Sequence, residues 1–479
     1  MLFSTYSFIF VFLPVVFFGY YALLKLNRFS LEKVWLVAAS LFFYAQGSIE
    51  FFPFFVGGIV VNYLVGTRLS RWERKTILKR LLFAATILAN LALLGYYKYM
   101  DFFIDNVNFL TGTDYQHWNL VLPIGISFFT FQQIAFLVDS YRREAEEYNF
   151  LNYALFVTFF PQLIVGPIVH HKEIIPQLED PANRKMNFDN ISKGLMIFII
   201  GCSKKILLSD PLTTDAQAFF GSVYDGIPFI DAWYHSFQYA VSYYFDLSGY
   251  ADMAIGLGYL FNVKIPQNFN SPYKALNFQD YWRRWHMTLS RFLSNYVFRN
   301  VYRKGSRWRN FYIATMVTFF VSGFWHGAGW TFVLWGVVNG LLVCIASWRG
   351  RHGKRMPAAP AFLLTTIGII MTRVLFVSNS FQNAWLVYKG MFNFSVVPGS
   401  GAVDKMLSCV QYAMSFLYAQ GKTGLILLLA AGICWFTPNT SQIMEKHENN
   451  RLSLVWAIGL MILCIYNMSH VVPFLYFQF

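Results

Sequence analysis

The chain has 479 residues, 56% of them hydrophobic and 13% charged, and its mean hydropathy is +0.42. That balance excludes an ordinary water-soluble globule, which exposes more charge, and points to an all-α polytopic integral membrane protein. The formal charge of +14 comes from 38 Lys and Arg against 24 Asp and Glu; it gathers in short connections between apolar runs, which suits membrane lipid headgroups and excludes nucleic acid as a partner.

In chain order, the first apolar run, 7–24, has no basic residue before it and no small-residue cleavage site behind it, so it reads as a retained span. Further runs follow at 34–44, 51–64, 81–97, 120–138, 153–169, 195–208, 233–250, 311–324, 331–345, 362–377, 406–417, 423–436 and 454–466. Several fall short of the roughly 20 residues a perpendicular span needs, yet together they predict more than ten membrane helices with re-entrant and interfacial pieces. Lys25, Arg28 and Lys33 after the first run, and the basic residues from Arg68 to Arg80 after the third, place those loops in the cytoplasm and the amino terminus outside. Pro161, Gly166 and Pro167 interrupt the 153–169 run and predict a broken or re-entrant element there.

Residues 261–309 differ from their surroundings. Lys264, Lys274, Arg283, Arg284, Arg291, Arg299, Arg303, Lys304, Arg307 and Arg309 alternate with Trp282, Trp285 and Trp308, a mixture expected of interfacial amphipathic helices. No internal repeat or long linker divides the chain, so 1–479 reads as one integral domain containing this segment. Cys202, Cys344, Cys409, Cys434 and Cys464 are scattered singly, suggesting neither a disulfide framework nor a metal site.

His326 stands in Gly323-Phe-Trp-His-Gly-Ala-Gly-Trp330, an ionisable group among aromatic and apolar residues. At such depth an imidazole is a candidate acid–base group, with Trp325 walling off water and the glycines allowing close helix approach; a hydrogen bond to a neighbouring helix is the plainer alternative. His286 follows Trp282-Arg-Arg-Trp285. A continuous helix there would put Arg283, His286 and Ser290 on one face, with Arg283 or Arg284 available to a phosphate-bearing acyl donor or to lipid headgroups. Asp246 and Asp252 lie in an apolar segment and need partners. Their spacing fits no metal, so a structural or substrate-orienting role is expected. Ser248, Ser290 and Ser322 are available hydroxyls, but none sits in a nucleophile elbow.

These residues together resemble the membrane-bound O-acyltransferase family, in particular its bacterial alginate O-acetyltransferase-like branch. The resemblance is carried in order by the opening 2–14 stretch, Leu122-Pro-Ile-Gly-Ile-Ser-Phe-Phe-Thr-Phe-Gln132, Pro161-Gln-Leu-Ile-Val-Gly-Pro-Ile168, the 246–256 segment, Trp282-Arg-Arg-Trp-His286, Gly323-Phe-Trp-His-Gly327 and the closing Phe474-Leu-Tyr-Phe-Gln-Phe479. It implies a many-helix fold with a central funnel, His326 as the main catalytic residue, and His286 as a second polar catalytic position. Near Trp385 similar proteins carry an arginine after paired aromatics, where this chain reads Leu375-Phe-Val-Ser378 with Arg373 upstream.

The resemblance further implies a bacterial inner-membrane acetyltransferase. It would move acetyl from a cytosolic donor, acetyl-CoA, for O-acetylation of an exopolysaccharide such as alginate or cellulose. The implied partners are an extracytoplasmic acetyl-relay or acetyltransferase protein and a polysaccharide synthase or export complex. Peptidoglycan O-acetylation and D-alanyl transfer are the alternatives within the enzyme class; a polytopic transporter or a non-catalytic scaffold of a polymer-export complex are the alternatives outside it.

Overall fold

The computed structural model describes residues 1–26, 31–74, 76–145, 148–302, 308–353, 356–394, 402–445, 451–468 and 475. Arg28, Lys75, Arg303, Lys304, Arg307, the Cys409 side chain, and 474–479 apart from Leu475 lie outside them. All regular elements among the described residues are helical.

Six of these helices are long and apolar enough to cross a membrane: Phe8–Lys25, Phe52–Arg71, Ile77–Thr111, Trp330–Arg351, Ala358–Val377 and Val410–Phe436. Their outward residues stay apolar, Phe18, Leu64, Leu88, Leu363 and Leu425 among them, as expected of surfaces that face lipid tails. This corrects the expectation of more than ten membrane helices with re-entrant and interfacial pieces and a central funnel, since among the described residues the count is six and neither a funnel nor a re-entrant helix is present.

The excess has physical causes. The 153–169 run is cut into Phe150–Thr158 and Phe160–Leu163, each far too short to span, because Phe159 leaves the helical region (φ −49°, ψ 107°) just before Pro161. Ser40 Oγ takes the Phe160 N–H at 3.1 Å, and Gln162 Nε2 donates to the Phe156 carbonyl at 2.8 Å, satisfying groups that the break frees. Phe229–Leu260 has the length, at 32 residues, but carries Asp231, His235, Asp246 and Asp252 along it. Runs 406–417 and 423–436 belong to one stretch, Ala402–Phe436, kinked at Gly421.

The chain forms two compact units. The first comprises Met1–Gly201, Tyr250–Gln267 and Asn449–Ala457. Its core includes an aromatic cluster in which the Phe160 ring stands edge-on to Phe12, with centroids 5.3 Å apart, and 5.9 Å from Phe43.

The second unit comprises Cys202–Gly249, Asn268–Glu448 and Ile458–Phe479. In it Trp308–His326 packs along Trp330–Arg351, which also touches Phe278–Arg284 and Ala358–Val377. Two glycines set the first contact: a Cβ on Gly323 would lie 2.5 Å from the Phe332 carbonyl oxygen, and one on Gly336 would lie 2.4 Å from that of Phe319. Among lipid tails, helices gain little from hydrophobic exclusion, so close approach at small residues supplies the dispersion contact instead. The tight pairing fixes the last turn of Trp308–His326, and thereby its terminal residue, His326.

Candidate functional site

His286 and His326, each 4% exposed, line a single cavity of about 250 Å³ in the second unit, together with Trp282, Arg283, Ser290 and Ser322. Trp325 packs against both histidines, its ring centroid 4.8 Å from that of His326 and 6.4 Å from that of His286. Trp335 meets His326 edge-on at 5.1 Å and Phe376 packs on it at 5.4 Å. The imidazole is thus confined by three aromatic rings, a setting that excludes water from a reaction at its edge.

His286 is reached by a different backbone from the continuous helix expected. Phe278–Arg284 ends at Trp285, which is extended, and His286 takes a left-handed conformation (φ 45°, ψ 53°) before Met287–Leu293 begins. Left-handed backbone is uncommon outside glycine, although histidine is one of the residue types enriched there. Asn268 stabilises the turn: its carbonyl oxygen accepts the Met287 N–H at 2.8 Å, and its Oδ1 accepts from Thr288 Oγ1 at 2.9 Å and Thr288 N at 3.3 Å. The same Oδ1 lies 3.1 Å from His286 Nδ1. An oxygen fixed as acceptor by two other donors requires Nδ1 to carry the proton, leaving the Nε2 lone pair available. Burial pushes the His286 pKa down to about 3, so the ring is neutral at physiological pH.

Arg283, His286 and Ser290 do meet at one cavity, brought there by the turn and not by a shared helix face. Ser290 Oγ caps the preceding segment, donating to the Trp282 carbonyl at 3.3 Å. The two arginines separate in role: Arg283 is exposed and lines the cavity, whereas Arg284 Nε bonds both carboxylate oxygens of Asp280 at 3.0 Å.

The carboxylates lie elsewhere. Asp246 Oδ1 is 2.7 Å from Lys205 Nζ, which is equally close to Asp210, and Asp246 Oδ2 accepts the Leu475 N–H at 2.9 Å. Such a buried ion cluster satisfies charges that would otherwise be costly to desolvate. Asp252 is half-buried and belongs to the first unit. Neither aspartate lines the histidine cavity.

Three side chains not singled out as site residues complete the surroundings: Trp335, Phe376 and Arg373. The Arg373 guanidinium, 3% exposed, lies 4.4 Å from the Trp285 ring centroid, 4.7 Å from Tyr243 and 5.2 Å from Phe376. A buried arginine in an apolar run was the available signal. Phe376 also lines a second cavity of about 480 Å³, whose wall includes Gln217, Gly329, Ser378 and Asn379.

Residues 67–376, well over half of the chain, match the membrane-bound O-acyltransferase family. The chain belongs to that family. It is an enzyme, an O-acyltransferase, and the transporter and scaffold alternatives fall away. It is similar to a peptidoglycan O-acetyltransferase of Helicobacter pylori, 39% identical over 100% of this chain and 98% of that protein. A probable alginate O-acetylase of Pseudomonas aeruginosa is 33% identical over 82% of this chain and 75% of its own length. A teichoic acid D-alanyltransferase of Bacillus subtilis is 25% identical over 55% of this chain and 68% of its own. With bacterial relatives and, among the described residues, six apolar helices of spanning length, the O-acyltransferase is a multi-pass protein of the bacterial inner membrane.

Proposed function

We propose that this O-acyltransferase acts on a polymer, transferring acetyl from cytosolic acetyl-CoA for O-acetylation of peptidoglycan. The observation that carries the reading is the 39% identity to a peptidoglycan O-acetyltransferase across the whole of this chain, against 33% over 82% for the alginate relative. Peptidoglycan therefore replaces the exopolysaccharide expected from the sequence motifs.

On this reading His326 is the general base. It takes the proton of an acceptor hydroxyl as that oxygen attacks the thioester carbonyl carbon; the C–S bond breaks, and the proton passes from His326 to the departing thiolate, giving free CoA. Removal of water by Trp325, Trp335 and Phe376 protects the thioester from hydrolysis. His286, with Nδ1–H held by Asn268, offers Nε2 only as an acceptor, which suits orienting a hydroxyl and does not suit polarising a carbonyl. Arg283 supplies the exposed guanidinium for the donor's phosphates. The second cavity, with Gln217, Ser378 and Asn379 in its wall, offers amide and hydroxyl groups to an acceptor. That acceptor is a glycan hydroxyl or a hydroxyl of an extracytoplasmic relay protein that passes acetyl on.

The test measures ester-linked acetate on purified peptidoglycan and on secreted polysaccharide from cells lacking the gene, complemented with wild type or His326→Ala. The reading expects peptidoglycan acetate to disappear and to return only with the wild type. Loss confined to the secreted polysaccharide would overturn it.

A further inference from the structure

In the first unit, the Ile126–Arg142 helix and the start of the His171–Glu179 helix bring together Asp139, His170 and His171. Both imidazoles direct Nε2 at the same carboxylate oxygen, Asp139 Oδ2, at 2.6 Å from His170 and 3.0 Å from His171. One ligand atom from each residue lies within 4.8 Å of the other two. Asp139 and His171 are buried, while His170 keeps an edge to solvent, its side chain 22% exposed.

We propose that Asp139, His170 and His171 form a binding site for a divalent transition-metal ion of the zinc type. Two imidazole nitrogens and one carboxylate oxygen are a donor set suited to Zn²⁺, with an open position left for water. Ligand atoms about 2.0–2.2 Å from a tetrahedral zinc stand roughly 3.3 Å apart, so loading opens the His171–Asp139 contact from 3.0 Å by about 0.3 Å and the His170–Asp139 contact from 2.6 Å by about 0.7 Å.

The surroundings accommodate a ligand set. Tyr148 Oη lies 2.9 Å from His171 Nδ1, the outer-shell contact that orients a ligating imidazole. A hydroxyl serves equally before and after loading: it donates to Nδ1 while Nε2 carries the proton, and accepts from Nδ1–H once Nε2 binds the ion. His170 makes the same tautomer change at the expense of a long 3.3 Å bond from the Lys172 N–H.

The experiment uses full-length protein without a histidine tag, stripped with chelator in detergent micelles and titrated with Co²⁺ followed by its visible absorption, with Zn²⁺ as competitor. The proposal expects one equivalent bound, displacement by Zn²⁺, a raised melting temperature, and at least tenfold weaker binding in both Asp139→Asn and His170→Gln. His170→Gln changes the ring that reaches solvent and serves as the folded control should Asp139→Asn unfold. Absence of saturable binding to folded wild type, or undiminished binding by folded His170→Gln, would overturn the proposal and leave the cluster as a hydrogen-bonded clamp.

Discussion

His286 and His326 both pack against the ring of Trp325, with centroid separations of 6.4 and 4.8 Å, and both face the same cavity. Forty residues of sequence separate them, so it is the turn at His286 and the tight pairing at Gly323 that make them neighbours.

If Asn268 fixes the His286 tautomer, Asn268→Leu should lower kcat while the protein stays folded. The variant removes all three contacts of Asn268 Oδ1, those with His286 Nδ1, Thr288 Oγ1 and Thr288 N; the His286 bond alone, about 1 kcal/mol, corresponds to a several-fold decrease in kcat. Steady-state acetyl transfer checks this, and an unchanged kcat would detach His286 from the chemistry.

Gly323→Val should destabilise the helix pair, because the nearest atom to the new Cβ is a backbone carbonyl oxygen that cannot rotate away. A cost of about 1–3 kcal/mol is expected for overpacking. Thermal unfolding in detergent would show a lower melting temperature, and acetyl transfer should fall with it as His326 is displaced.

The neighbouring arginines should behave differently. Arg283→Gln is expected to raise KM for acetyl-CoA roughly tenfold or more, the loss of a charge-assisted hydrogen bond. Arg284→Gln should leave KM within a few-fold and lower stability by about 1 kcal/mol or less, because its partner is the partly exposed Asp280. Equal effects on KM would contradict the assignment.

His286 also predicts a pH dependence of stability. Its folded-state pKa, about 3, lies below the unfolded value of about 6.5. Below pH 6.5 the unfolded chain takes up a proton that the folded chain refuses, so stability falls with pH towards 3, by at most about 1.4 kcal/mol per unit. His286→Asn, a residue tolerant of left-handed backbone, should remove that share. Melting temperatures at pH 7 and pH 5 should therefore drop more in the wild type than in the variant; equal drops would contradict the burial argument.

The sequence made the two histidines legible because an imidazole in an apolar run is conspicuous, and Arg283 and Ser290 because they flank one of them. It did not show how His286 is held, since Asn268 lies 18 residues away and the turn runs against the helical pattern around it. Hydropathy overcounted the spans because a window sums apolarity without seeing a break at Phe159 or the polar residues along Phe229–Leu260. Asp246 and Asp252, six residues apart in sequence, part company because one is consumed by Lys205 and the other belongs to the first unit. The metal-type cluster is not legible in the sequence because Asp139 is some thirty residues from its two histidines, a spacing that matches no sequence motif.

The most direct measurement is the movement of radiolabelled acetyl from acetyl-CoA by the purified protein in lipid vesicles, supplied with peptidoglycan fragments and extracytoplasmic fractions. The account predicts label transfer by the wild type and a decrease of about 10²–10⁴-fold in kcat for His326→Ala, with an unchanged melting temperature. Transfer at the wild-type rate by folded His326→Ala would contradict it.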